Sequence, residues 1–325
     1  MRILHLKGFK CSRFLNQSPV LFSLLALGLG SWAIAGARAI VKVNGTSSPV
    51  YFNDGDSFRV LEGKYTGTKG RLAGFNTLES HGPVHRWGTW STKELYINAK
   101  MATRNAERGA WVCQSEGEKD IYGRTLFDCP SLRKDQIAKG LAHAMTVTAK
   151  GASPELLEVQ AKAQRERRGM WAHGVPEFVL TSLHSIDEGG KKYAYNRVVS
   201  STDGHSEKLR HQNIYQECDE ICVDKVTVDP AVLRTCTKEL KQNDAIQDLI
   251  APYNDVRLEY LLTIWLKLHN VAAFIPHKDR KRVEVHLRKL EADGKLVAAT
   301  RSIDSCMTYV PFKRRYGGNR AACLR

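Results

Sequence analysis

Arg71-Leu72-Ala73-Gly74-Phe75-Asn76-Thr77-Leu78-Glu79 is the stretch on which the fold turns. It reads as a strand from Arg71 to Phe75 that opens on a guanidinium and ends in an amide, a hydroxyl and a carboxylate. Such a strand end can present oxygen donors to a cation. By itself the pattern fits a structural strand end equally well.

Upstream, Val50–Phe52 and Asp56–Leu61 read as two more strands, with a Gly/Thr/Lys turn over Gly63–Gly70 before the third. Between the first two lies Asn53-Asp54-Gly55-Asp56-Ser57, two carboxylates around a glycine. Hard oxygen donors of this kind suit calcium, although an Asp-Gly-Asp turn is also ordinary solvated turn chemistry. Downstream, Leu95, Ala99, Ala102, Ala106 and Ala110 share one helical face. Trp111–Gln114 and Thr125–Cys129 return to sheet around the turn Tyr122-Gly123-Arg124. Facing strands there would bring Cys113 and Cys129 into a disulfide. A helix over 135–145 with Ile137, Leu141, Ala142 and Met145 on one face follows, then one capped by Ser153, with Pro154 in its first turn, stopping near Gly169.

In this order, the Asp-Gly-Asp-Ser turn, the arginine strand ending at Glu79, the Tyr-Gly-Arg turn, the helix after it and a last helix closing on Trp171 resemble the staphylococcal nuclease family over about residues 48–175. The resemblance implies an α+β domain: an OB-like five-stranded β-barrel with three helices. It implies a calcium ion held by Asp56, Asn76 and the Thr77 carbonyl, with Asp54 behind them. Glu79 would act on the attacking water, Arg71 and Arg124 would grip the phosphate, and Tyr122 would touch substrate. The family's aspartate and proline are here Asn76 and Leu78. Asn76 keeps an oxygen and loses a charge, so calcium should bind more weakly, or manganese or magnesium take its place. Thr146 and Thr148 stand near the family's base-stacking tyrosines. Trp87, Trp90 and Tyr96 are substitute stacking surfaces or local packing, and His81 and His85 are a further ligand, a proton donor or plain loop histidines.

Arg2, Lys7, Lys10 and Arg13 precede an apolar run from Val20 to Leu29 and small residues at Ala35, Ala37 and Ala39. This reads as a signal peptide over 1–39, with an uncleaved anchor as the competing reading. The run Leu261–Leu268, beside Arg257, Glu259 and Lys267, reads as a buried helix, which leaves no membrane span in the mature chain. The formal net charge of +15 falls to +10 without the leader's five basic residues, so the protein should meet polyanions outside the cytoplasm, in secretion or in the envelope.

The nuclease-like domain is expected over 40–185, a polar linker over 186–209 and a smaller, mainly helical, disulfide-containing region over 210–325. Cys218 and Cys222 would share a helix face, with Cys236, Cys306 and Cys323 as partners in disulfides or, more sharply, zinc. His277–Arg282 and Lys313, Arg314, Arg315, Arg320 and Arg325 offer a phosphate-binding surface or merely solvated faces. The leading expectation is a secreted metal-dependent nuclease acting on DNA or RNA, with no protein partner. A binding module that no longer turns over is the second reading, and a disulfide-stapled envelope or adhesion protein the third.

Overall fold

Alternation builds the first strand. Val41 and Val43 are buried while Ile40 and Lys42 face out. The computed structural model describes residues 39–188 and 193–324, so the leader lies outside the described residues except for Ala39, which is buried in that strand and paired with Val50. The strands of the first part are β1 (Ala39–Val43), β2 (Thr46–Asp54), β3 (Ser57–Val60), β4 (Lys69–Leu72), β5 (Phe75–Thr77) and β6 (His85–Trp87). Then come α1 (Thr92–Arg108), β7 (Ala110–Cys113), β8 (Thr125–Phe127), α2 (Pro130–Ala138), β9 (Ala142–Ala144) and α3 (Pro154–Arg165). The second part holds β10 (Phe178–Ser182), β11 (Ala194–Ser200), β12 (Ser206–His211), β13 (Glu220–Thr227), α4 (Pro230–Lys241), α5 (Gln247–Ile250), α6 (Asp255–Leu268), α7 (Arg280–Ala292) and β14 (Thr300–Thr308).

The class is α+β: α1 and α2 pack on a six-stranded sheet ordered β7-β1-β2-β3-β4-β8, and α3 packs on α2 and β9. The sheet holds one strand more than the five expected, because Ala39–Val43 adds β1 between β2 and β7. Gly74, at a φ of 85°, breaks the third strand into β4 and β5, and β5 leaves the sheet to pair with β9. The helix expected through Met145 likewise stops at Ala138, because Gly140 turns the chain at a φ of 65° and residues 142–144 extend into β9. The sheet core holds Val41, Phe52, Phe58, Phe127 and Leu132, and a second cluster gathers Leu78, Trp87, Leu95, Met170 and Trp171.

The expected linker is not one. Within 186–209, β11 and part of β12 form a three-stranded antiparallel sheet with β10. Residues 210–325 are not merely helical either, because β13 and β14 pair along their length and β14 continues the sheet onto β6, with Ser305 opposite Trp87 and Met307 opposite His85. Asp304 accepts backbone N–H bonds from Glu177 and Phe178, each at 2.8 Å. The described residues thus form one compact unit rather than a domain, a tether and an appendage. Cys113 is bonded to Cys129, Cys218 to Cys323 and Cys222 to Cys306, while Cys236 is free and buried. Cys218 and Cys222 sit in a turn and on β13, not on a helix. Among the described residues no helix is long and apolar enough to cross a membrane.

Candidate active site

The turn between β2 and β3 is drawn against α1 by a glycine. A Cβ on Gly55 would lie 2.6 Å from Thr77 Cγ2 and 2.8 Å from Ala102 Cβ. The side chain of Gln136 donates to the Gly55 carbonyl at 3.3 Å and to that of Ala102 at 2.8 Å, tying turn, α1 and α2 together. Asp54 then folds back on its own turn, accepting from the Asp56 backbone at 3.2 Å and the Ser57 hydroxyl at 2.7 Å. Burial, with Asp56 and Glu79 nearby, pushes the Asp54 carboxyl well above its ordinary range.

Asp56 is buried at 3% exposure and points across to the end of β5, where its carboxylate accepts the Thr77 backbone N–H at 2.8 Å and pairs with Arg71. Arg71 also donates to the Asn76 side-chain oxygen at 2.7 Å. One guanidinium therefore bridges Asp56 and Asn76, and the Asn76 amide in turn donates to the Thr77 carbonyl at 2.7 Å. Residues 54–56, 71 and 76–77 converge, and all three oxygens expected to hold a cation are engaged by protein donors.

Glu79 lies half-buried beside this cluster. Its carboxyl is raised, first by burial; Arg315, Arg71 and Arg124 pull it back down, while Asp56 adds to the rise. Arg124 is held by Asp120 at 2.7 Å, which also accepts the backbone N–H groups of Tyr122 and Arg124 at 2.9 Å. Tyr122 is exposed, with the Arg124 guanidinium 5.5 Å from its ring centre.

The remaining sequence candidates separate. Trp87 is buried in the core and Trp90 is partly buried against it and against His173, their ring N–H groups donated to Gly174 and Met170 at 3.2 and 2.9 Å. His85 is buried and accepts the Glu79 backbone N–H at 3.3 Å. Burial and the neighbouring His143 hold its ring down to about 3. His81 meets the Asn53 carbonyl at 3.0 Å and packs beside Tyr316. His143, opposite Asn76 in the β5–β9 register, escaped the sequence reading. The sequence offers Arg315, the foremost charge acting on Glu79, only as one of the basic tail's phosphate-binding or solvated residues, with no link to Glu79.

The donor set is chemically suited to a hard divalent cation: carboxylate, amide oxygen and backbone carbonyl. Asp56 and Asn76 already meet on one positive group, so their oxygens are placed to share a cation, with less negative charge than two carboxylates would bring. Glu220, Cys222 and Cys306 also cluster, but the two sulfurs are bonded to each other, which removes zinc there.

No curated protein matches the chain. Asp54 and Asp56 precede, and Arg71 through Arg124 lie inside, a span that does match a family. Residues 69–173 match the family model described as staphylococcal nuclease homologue.

Proposed function

We propose that the protein is an exported nuclease that hydrolyses phosphodiester bonds of DNA or RNA with a divalent cation. The nuclease-homologue domain supports nucleic-acid binding or cleavage as the broad function. The observation that carries the finer reading is the meeting of Asp56, Arg71, Asn76 and Thr77 in one hydrogen-bonded cluster, with Glu79 and Arg124 beside it. The basic charge and the leader-like N-terminus support export to a compartment where polyanions are met.

Asp56, Asn76 and the Thr77 carbonyl would hold the cation, calcium as is typical of the family or else manganese or magnesium. When bound it supplies positive charge against a phosphoryl oxygen. For those oxygens to be released, Arg71 must let go of Asp56 and Asn76 and the Asn76 amide must let go of the Thr77 carbonyl; the Arg71 fork is then available to the phosphate. Glu79 accepts the proton of the attacking water, and its raised pKa makes it a better base than a solvated glutamate. Arg71 and Arg124 face the charge that builds on the phosphorane oxygens, where planar guanidinium forks match phosphate geometry. Asp120 keeps the Arg124 fork in place.

A metal-titrated digestion of single-stranded DNA, duplex DNA and RNA tests this. Wild type should degrade at least one substrate, and Glu79→Ala should be slower by about 100-fold or more. Intact substrates under calcium, manganese and magnesium alike would remove the proposal. The second reading, binding without turnover, draws its support from Asn76, whose amide is engaged on both sides.

A further inference from the structure

Beyond the catalytic cluster, a cleft of about 330 Å³ opens between α1 and the chain's last residues, lined by Tyr96, Lys100, Arg315, Tyr316 and Arg320 with His81 at its edge. No carboxylate is among its lining residues. Its outer wall is held in place rather than trailing. Cys323 is bonded to Cys218, Arg314 pairs with Glu217 at 2.7 Å, and Ala321 is fully buried with its N–H on the Arg314 carbonyl. Arg315 turns the other way from Arg314. Its Nε donates to the Val310 carbonyl at 3.0 Å, and its stem crosses Gly82, where a Cβ would sit 2.5 Å from Arg315 Cδ. Gly82, at a φ of 104°, is the residue that permits this approach.

The cleft adjoins the catalytic cluster through the loop after Glu79. His81 lies two residues beyond Glu79, contacts the carbonyl of Asn53 next to Asp54, and stacks 5.4 Å from the Tyr316 ring. On the facing wall, Lys100 lies one helical turn after Tyr96, its ammonium 5.2 Å from that ring's centre. Cations interleaved with tyrosine faces are what a polynucleotide strand with unpaired bases requires.

We propose that this cleft is a second subsite for single-stranded nucleic acid, in which Lys100, Arg315 and Arg320 hold a phosphate flanking the scissile one and Tyr96 and Tyr316 stack an unpaired base. The inference rests on the nuclease reading and deepens it. The C-terminal part then completes the substrate groove, and duplex, whose bases are already paired and stacked, gains less from it.

The test is fluorescence anisotropy on the full chain in EDTA, where no turnover occurs, with labelled twelve-nucleotide single-stranded DNA, the same sequence as RNA, and a twelve-base-pair duplex. Arg315→Ala, Lys100→Ala and Tyr316→Ala should each weaken single-strand binding by about 5-fold or more, from the usual worth of a stacked base or phosphate contact. Arg315→Lys should recover part of the loss. The single-strand salt slope should fall by about 0.7 for each cation removed. Lys313→Ala, which takes one charge from the same segment outside the cleft, should bind as wild type does. Because Arg315 is packed against Gly82 and its loss could disturb the fold, Lys100→Ala on the facing wall carries equal weight. Equal losses for Lys313→Ala, or equal losses on duplex, would overturn the subsite in favour of diffuse attraction. Wild-type binding with all three cleft variants unaffected would overturn it while leaving the nuclease reading intact. Wild type that neither binds nor cuts any strand would overturn both.

Discussion

At the scale of single residues, Asn76 carries the most consequence. Its oxygen accepts from Arg71 and its amide donates to the Thr77 carbonyl, so an asparagine here both lacks a charge and occupies a neighbouring donor. An aspartate cannot make the second bond. Asn76→Asp should therefore free the Thr77 carbonyl and add a negative charge, raising calcium affinity and cleavage by about 10-fold or more, measured by calorimetric titration and by digestion rate. His85 and His143 govern a different property. Burial holds their pKa values down to about 3 and about 4, whereas the unfolded chain protonates them near 6.5. Their stabilisation is complete above about pH 6.5 and is lost as the pH falls toward those lower values. Asp54 and Glu79, shifted upward, act in the opposite sense on acidification. The clean measure is thus a difference: between pH 7 and 5.5 His85→Gln should lose less stability than wild type, by about 1 kcal/mol, in urea unfolding. Identical pH slopes would show that His85 is not held neutral.

At the scale of elements, the site depends on how closely the β2–β3 turn approaches α1 and β5. Gly55 allows that approach, and a methyl there would meet both Thr77 and Ala102 at less than contact distance. Gly55→Ala should cost about 1–3 kcal/mol of stability by overpacking and displace Asp56 from the Thr77 backbone N–H it accepts. Thermal melting reads the first effect and loss of divalent-ion response the second. A variant with wild-type melting and metal response would show that the turn has slack. The elements also explain why the strand carrying Arg71 was legible while its continuation was not. Arginine, alternation and the oxygen-bearing end are all local signals. The break at Gly74 depends on β9 being there to pair with β5, and β9 itself has the helical apolar spacing that led to the expectation of a longer helix.

At the scale of the whole molecule, the two parts are sewn together by backbone. β14 lies on β6, Asp304 caps the start of β10, Ser305 bonds its backbone, and Arg86 pairs with Glu220 at 2.6 Å. A chain ending at Lys191 would strip the β6 edge and expose the backbone N–H groups of Glu177 and Phe178. It should be insoluble, or rapidly cut by protease near residues 85–87 and 177–182, whereas the full chain resists. A soluble, protease-resistant fragment with full activity would make residues 192–325 dispensable and contradict the shared sheet.

The sequence by itself determined the succession of β2, β3 and β4, then α1, then β7 and β8, then α2 and α3, together with the identity of the arginines, carboxylates and Asn76 that meet there and the nuclease-family likeness. Those follow from alternation, capping, turn chemistry and motif spacing, which act over a few residues at a time. Only the tertiary structure decided that Arg71 bridges Asp56 and Asn76, that Trp87 is core with Trp90 partly buried against it, and that β14 and the segment bearing Arg315 close over residues more than two hundred positions earlier. Pairing across such a distance is selected by the packing of the folded chain as a whole, and periodicity within one segment carries no record of its partner.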